Sequence, residues 1–490
     1  MMKNRKKRFT SSLLPMLLCV VFAGILFSSQ AFAARTYSPD GKGYLDYITT
    51  DTGHAQPLLH LEGTGYEMGF QHGYLMGAAA AKVACDDFFI DIGRGYVEML
   101  GPLGPVVEKL LLTEIGKRSG VNYLTSGKRP ADFIIDFFKI VAKNNEKYIP
   151  REYLDEMHGI ADGARAAGVD LKYEDILLVN VGFDALLSFG YPIASPLLIA
   201  ADKAGDLKGL QLSCNAFVMD GKATVDRNLY LGRDFMFSGP GFTDHPVIFE
   251  IYGNGRNRVV SVGVAGIVGV IAAMNEKGLG IGMDMVPSTD CTPGDVGMGT
   301  LLTARDVMAK ANELSQGVKI IKDSKRGASW LYILADGKGA ERGGKSVEVS
   351  AKHVFVRGME YVEQTWLQKL LGTAARQQEK HPDFILQTNH YMLPNMYANV
   401  PLNYIDQDSQ NRYNSMIQIL KDPYHPLGGY GTYDVDKAFN YINWMHLTGN
   451  EPDDHKVNQS TTLFDLTNLR MKTLCGPTFA HGATKYDWRE

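Results

Sequence analysis

The sequence holds 490 residues, 45% of them apolar and 21% charged, with a formal net charge of -4. A chain of this composition is globular and long enough for one large or two ordinary domains. Its charge balance gives no electrostatic basis for binding nucleic acid, which demands clustered positive charge, so a small-molecule partner is expected.

Lys3, Arg5, Lys6, Lys7 and Arg8 precede an apolar run from Leu13 to Phe27, followed by Ala31-Phe32-Ala33. That is the three-part layout of a secretory signal peptide, residues 1–33, and it predicts export to a periplasmic or extracellular space with a mature chain starting near Ala34. The run is shorter than the roughly 20 residues that span a bilayer, which argues against a retained anchor. No later stretch reads as apolar enough to cross one. Cys85, Cys214, Cys291 and Cys475 are too few and too scattered for a disulfide scaffold or a paired-cysteine zinc site. An exported compartment permits one bridge without saying which pair forms it. No metal or cofactor is expected.

From Gly65 to about Gly101 the pattern is helical, with Gly69, Gly73, Gly77 and Ala78 to Ala81 on a face that should pack closely. His72 in that helix reads as a packing or hydrogen-bonding residue rather than a catalytic base. Gly101-Pro102 and Gly104-Pro105 punctuate the chain, and helical periodicity returns from Ala131 to Ala167. From Cys214 onward the character changes to β-branched and aromatic runs. Strands are expected at Asn215–Met219, Asn228–Leu231, Val247–Tyr252, Val259–Val264, Leu279–Met283, Trp330–Leu334, Val347–Val349 and Val354–Val356. Helices are expected near Leu301–Leu314 and Arg412–Leu420. Several strands are apolar on both faces, so their sheets should be covered on both sides. The class is α+β, and a four-layer αββα sandwich fits the alternation.

Gly339-Ala340-Glu341-Arg342-Gly343-Gly344-Lys345-Ser346 satisfies the phosphate-binding loop formula. The formula works only where a helix follows and aims its N–H groups at the phosphates. Here the segment leads into the alternating Val347-Glu348-Val349, so a hairpin turn is expected and nucleotide binding is not. No His-Glu-x-x-His or Gly-x-Ser-x-Gly pattern is present, which removes the commonest zinc and serine hydrolase readings.

The informative segment runs Ser213-Cys214-Asn215-Ala216-Phe217-Val218-Met219 and then Tyr230-Leu231-Gly232-Arg233-Asp234-Phe235. It reads as a hairpin whose first strand begins at a cysteine and whose second ends in Gly-Arg-Asp. Alone, Cys214 reads as a buried apolar residue. An arginine on the neighbouring strand changes that, because a nearby cation lowers a thiol's pKa and favours the nucleophilic thiolate.

The segment resembles the start of the catalytic subunit in the cysteine N-terminal nucleophile hydrolases. These include the acyl-coenzyme A:6-aminopenicillanic acid acyltransferase family, the bile salt and penicillin V amidases, acid ceramidase and the related phospholipase B-like proteins. The resemblance implies self-cleavage between Ser213 and Cys214, giving a mostly helical piece, 34–213, and a sheet-bearing piece, 214–490, that stay associated. It implies that Cys214 is the nucleophile, with its new α-amine as base, and that Arg233 supports the thiolate. The family's aspartate stands three positions after the arginine, where this chain has Met236, and Asp234 is the candidate replacement. Met274-Asn275-Glu276-Lys277-Gly278-Leu279 resembles a turn of these amidases. Asn275 itself reads as a turn former, with a backbone N–H in or near Asp284 and Met285 as the nearer contributor. Gln387-Thr388-Asn389-His390 resembles the segment whose asparagine donates to the oxyanion, the role implied for Asn389. Ser409-Gln410-Asn411-Arg412-Tyr413 resembles a second arginine segment, with Arg412 either in the site or exposed at a helix start. Glu62–Gly73 and Thr462–Leu469 resemble the family's opening helix and closing strand.

The implied activity is hydrolysis or transfer of the acyl group of an N-acyl amide through a Cys214 thioester. A phospholipase B-like or ceramidase-like lipid acyl hydrolase of the same architecture stays open. So does an exported binding protein that has lost activity, for which Met236 speaks.

Overall fold

The computed structural model describes residues 35–85, 101–204, 214–236, 244–286, 288–359, 383–393, 395–396, 403–444, 458–476 and 483–488. The expected signal segment and Ser213 lie outside them. The helices that matter here are α1 Gly65–Ala81, α2 Gly104–Ser119, α3 Pro130–Lys143, α4 Arg151–Ala166, α5 Tyr173–Ala204, α6 Thr300–Lys310, α7 Leu314–Asp323, α8 Asn403–Lys421 and α9 Val435–Ile442. The strands are β1 Thr36–Tyr37, β2 Tyr44–Thr49, β3 Ala55–Gly63, β4 Asn215–Met219, β5 Tyr230–Met236, β6 Pro246–Gly253, β7 Val259–Val264 and β8 Ala272–Asn275. They continue as β9 Leu279–Met285, β10 Trp330–Asp336, β11 Gly343–Val349, β12 Val354–Gly358, β13 Phe384–Gln387, β14 Asn458–Asp465, β15 Arg470–Cys475 and β16 Ala483–Asp487.

Among the described residues the strands form a 10-stranded sheet, β1-β2-β3-β6-β7-β8-β9-β10-β11-β12, and a 6-stranded sheet, β13-β4-β5-β14-β15-β16. Each of these ladders is antiparallel except β3 with β6, which runs parallel from Leu58↔Ile248 to Gly63↔Gly253. Three apolar clusters separate four layers. Ala216, Val218, Leu231 and Phe464 of the smaller sheet meet Ile248, Val260, Met274 and Ile333 of the larger one. Residues of α1 and α3 to α7 cover the outer face of the larger sheet, and α8 and α9 cover the smaller. This is the αββα sandwich expected from strands apolar on both faces, each buried aliphatic side chain contributing roughly 1.5–3 kcal/mol.

Thr64 and Glu67 form a capping box that starts α1. That helix meets α4 at backbone distance. A Cβ on Gly69 would lie 1.9 Å from the Glu156 carbonyl oxygen, one on Gly73 1.9 Å from that of Ile160, and one on Gly163 2.1 Å from that of Phe70. The small-residue face is therefore matched by small residues on α4.

The region before Cys214 is mostly helical among its described residues and also supplies β1 to β3, one edge of the larger sheet. Two expectations need correction. Among the described residues one later helix, α5, is long and apolar enough by length and composition to cross a membrane. Most of that stretch is buried in the protein, as in a core helix, and Pro192 and Pro196 lie inside it. The helix carrying Arg412 starts at Asn403, which places Arg412 in its interior rather than at its opening. The phosphate-loop formula falls, as expected, on the β10–β11 hairpin, with Asp336 opposite Gly343 and no helix following.

Candidate active site

The β4–β5 register sets Asn215 opposite Asp234 and Ala216 opposite Arg233, so Cys214 sits at the strand end beside the arginine. Cys214 is 4% exposed, and its Sγ donates to the Met236 carbonyl at 3.4 Å. Arg233 continues past its own sheet into the other one: its guanidinium donates to the Asp234 and Met283 carbonyls and stands 3.3 Å from Asp284. Room for it comes from Gly282 on β9, where a Cβ would lie 3.1 Å from the Arg233 Cδ. Gln387, at the end of β13, donates to Asp284 at 2.6 Å and so holds that carboxylate from the other side.

A second arginine gathers the remaining groups. Arg412 is 4% exposed, and its Nη1 donates to the Cys214 carbonyl at 2.9 Å and to the Asn215 Oδ1 at 2.7 Å. Its Nη2 donates to the Asn389 Oδ1 at 2.9 Å, and its Nε to Asp408, one turn back on α8, at 3.0 Å. Asn389 passes the network on, its Nδ2 donating to the Met285 carbonyl at 2.7 Å. β8 ends its pairing with β9 at Ala272↔Gly282, so the Met283 and Met285 carbonyls lie beyond that ladder and take side-chain donors instead. Cys214, Arg233 and Asn389 line one narrow cavity of about 20 Å³ whose other walls are apolar, among them Phe183, Phe235, Leu301 and Trp330.

Burial pushes the Cys214 thiol up, and the adjacent Arg233 pulls it down without overcoming that cost. The expected lowering by the cation is thus outweighed, because removing a thiolate from water costs more than one neighbouring charge returns. Burial likewise pushes the Asp284 carboxyl up against the pull of Arg233 and the Gln387 hydrogen bond.

The structure brings together Cys214, Arg233, Asn389, Arg412, Asp284 and Met285. Asp234 lies across from Asn215, and its Oδ1 accepts from Thr461 at 3.0 Å. Asn275 is elsewhere: its amide donates to the Met308 and Ala311 carbonyls and its Oδ1 caps Lys277 and Leu279, which is turn chemistry. His72 is buried in α1 and accepts from the Gly266 N–H at 2.9 Å. Of Arg412's two readings, the buried one holds. Sequence reasoning missed the side chains of Asp284 and Gln387, although Leu279-Gly280-Ile281-Gly282 carried a usable signal, since glycine within a strand often marks close approach by another chain segment. No disulfide joins the described cysteines 85, 214, 291 and 475.

Residues 250–456 match the family "Acyl-coenzyme A:6-aminopenicillanic acid acyl-transferase". An uncharacterized protein of Archaeoglobus fulgidus is 39% identical over 448 residues, covering 90% of this chain, and this chain spans 66% of that relative's length. Solved structures with partial similarity include the Caenorhabditis elegans N-acylethanolamine-hydrolyzing acid amidase ortholog, at 12% identity and a TM-score of 0.36 over 56% of this chain and 99% of that one. A conjugated bile acid hydrolase from Clostridium perfringens follows at 13% identity and 0.33, over 56% and 93%. Penicillin V acylase from Agrobacterium tumefaciens matches at 15% and 0.32, over 56% and 87%. The matched residues 250–456 are less than half of the chain and include Asp284, Asn389 and Arg412 of the candidate site.

Proposed function

We propose that this protein is an exported, self-cleaving cysteine hydrolase or acyltransferase that takes the acyl group of an N-acyl amide onto Cys214. The observation that carries the reading is the convergence of Arg233, Asn389 and Arg412 on Cys214, directly before β4. Processing begins with attack of the Cys214 Sγ on the Ser213 carbonyl. The peptide C–N bond breaks as a thioester forms, and the freed α-amine takes the thiol proton. Water then cleaves the thioester, leaving the Ser213 carboxylate and a free Cys214 thiol. The fragments 34–213 and 214–490 remain one folded unit.

In turnover the α-amine, whose ordinary pKa of about 7.7–8.0 suits a base at neutral pH, holds the thiol proton. Sγ adds to the substrate's acyl carbonyl, the amide C–N bond breaks, and the proton leaves with the amine. The Asn389 amide carries two hydrogens, one given to Met285; the second is assigned to the oxyanion, a contact contributing roughly 3–4 kcal/mol. Water or a second amine then accepts the acyl group. Asp284, held between Arg233 and Gln387, is assigned the carboxylate position that Met236 leaves without one. The apolar cavity walls favour an apolar acyl group.

Intact mass and N-terminal sequencing of the purified protein test the proposal. A chain beginning Cys-Asn-Ala-Phe, absent in Cys214→Ala, supports it, and the second N-terminus reports export by starting near Ala34. Wild-type protein that stays uncut and releases no acyl group defeats it and favours the inactive binding protein that Met236 suggests. Acyl amides assayed beside acyl esters separate the amidase from the lipid esterase reading.

A further inference from the structure

A second, larger cavity, about 220 Å³, lies at the other end of the same strands. In the β7–β8 ladder, Val259 pairs with Asn275 and Val262 with Ala272. Val259 lines this second cavity, whereas Ile271, just before β8, lines the one at Cys214. The cavity is bounded by α1, α4, α6 and the β6–β7 turn.

Arg305 of α6 enters its wall and is 3% exposed. Its Nε and Nη1 meet no acceptor among the described residues. Its Nη2 stands 3.7 Å from the Glu156 Oε2, too far for a hydrogen bond. The other carboxylates nearby are already engaged. Glu152 takes Arg256 at 2.9 Å and Lys310 at 3.4 Å, and Asp306 takes the Tyr153 hydroxyl at 2.9 Å. Native interiors satisfy buried guanidinium donors because leaving them unmet is costly. The group best shaped to do so is a flat carboxylate. The Glu152 and Glu156 side chains on the same wall disfavour a dianion, and Met68, Ile251, Val259 and Ala309 provide an apolar surface beside the charge.

We propose that this cavity binds a small monocarboxylate with a short apolar group, its carboxylate on Arg305 and its apolar part against Met68, Ile251, Val259 and Ala309. The site is separate from the one around Cys214 and does not depend on the function assigned there.

The test is titration of the purified full chain with butyrate, and separately with inorganic phosphate, followed by ligand-observed NMR. Saturable butyrate binding in the roughly millimolar range or tighter is expected, with phosphate showing none. Arg305→Gln and Ala309→Phe should each weaken butyrate by roughly tenfold or more, while Cys214→Ala and Asn389→Ala leave it unchanged. Ala309→Phe fills the cavity without touching its charges, and decides the matter should Arg305→Gln fail to fold. Absence of saturation would mean that water meets the Arg305 donors, and the proposal falls. It falls equally if phosphate binds as well as butyrate, if Ala309→Phe has no effect, or if Cys214→Ala abolishes binding.

Discussion

Arg412 donates to the carbonyl oxygen of Cys214 at 2.9 Å across 198 positions of sequence. Through its remaining donors the same guanidinium fixes Asn215 and Asn389, so one side chain sets both the backbone of the candidate nucleophile and the orientation of the candidate oxyanion amide. Replacing it with methionine leaves those acceptors buried and unmet, and should cost about 3–5 kcal/mol of stability, read from the urea midpoint. Acyl release should fall by roughly a hundredfold or more, the scale of losing one oxyanion donor. Arg412→Lys keeps the charge but not the planar fork, and should fall between wild type and Arg412→Met in both measurements. Full activity in Arg412→Met would remove this residue from the site.

The contact between α1 and α4 makes a sharper prediction about stability. A methyl group at Gly69 would sit 1.9 Å from the Glu156 carbonyl oxygen, so Gly69→Ala must push the two helices apart. Overpacking of that kind costs about 1–3 kcal/mol and often more where backbone must move. A methyl group at Gly190, within α5, would meet only side-chain carbons, the nearer being Leu186 Cδ1 at 3.7 Å, an ordinary contact. Gly190→Ala should therefore stabilise by roughly 0.5–1 kcal/mol through helix propensity alone. Thermal unfolding of the pair should move in opposite directions, and equal shifts would contradict the close contact.

These two cases show what is readable in the sequence and what is hidden. Gly69, Gly73 and Gly77 recur at helical spacing, a local signal, and the face they form is predictable from them. The cysteine-led hairpin is equally local, since Cys214 and Arg233 lie on adjacent strands in register. By contrast, β1 to β3 are short or moderately polar, and their place depends on a parallel pairing with β6 that no local pattern encodes. Asp284 is readable in the sequence only as a strand residue offering a backbone N–H, not for its carboxylate. Its importance comes from Arg233 on one strand of the smaller sheet and Gln387 on another, two partners that sequence spacing does not place near it.

The same non-local pairing governs what happens to the two proposed fragments. β3 in the first pairs with β6 in the second. Asp184 of α5 accepts from the Thr300 N–H at 2.8 Å and from the Trp330 indole at 3.2 Å. Cleaved protein should therefore elute as one species on native size exclusion and separate into two bands on denaturing gels. Because no disulfide joins the described cysteines, reducing agent should make no difference. Fragments that part under native conditions would contradict a shared sheet.

Two buried groups should tilt stability with pH in opposite directions. Burial holds the His72 imidazole down at about 3 from an ordinary 6.5, so below 6.5 the unfolded chain binds a proton that the folded one refuses. Its contribution is fully present above 6.5 and is lost as pH falls toward 3, by up to about 5 kcal/mol at the acid end. Burial raises the Glu156 carboxyl to about 7 from 4.5, against the pull of Arg305. Here the folded state holds the extra proton, so the contribution is full below 4.5 and fades as pH rises to 7, by about 3 kcal/mol. Urea unfolding across this range should show His72→Gln, whose Oε1 can accept the Gly266 N–H, losing the acid-side decline. Glu156→Gln should lose the decline toward neutrality, and between 4.5 and 6.5 the wild-type curve should be flatter than either variant's because the two slopes oppose. Parallel curves for all three proteins would show that neither group changes its protonation on unfolding.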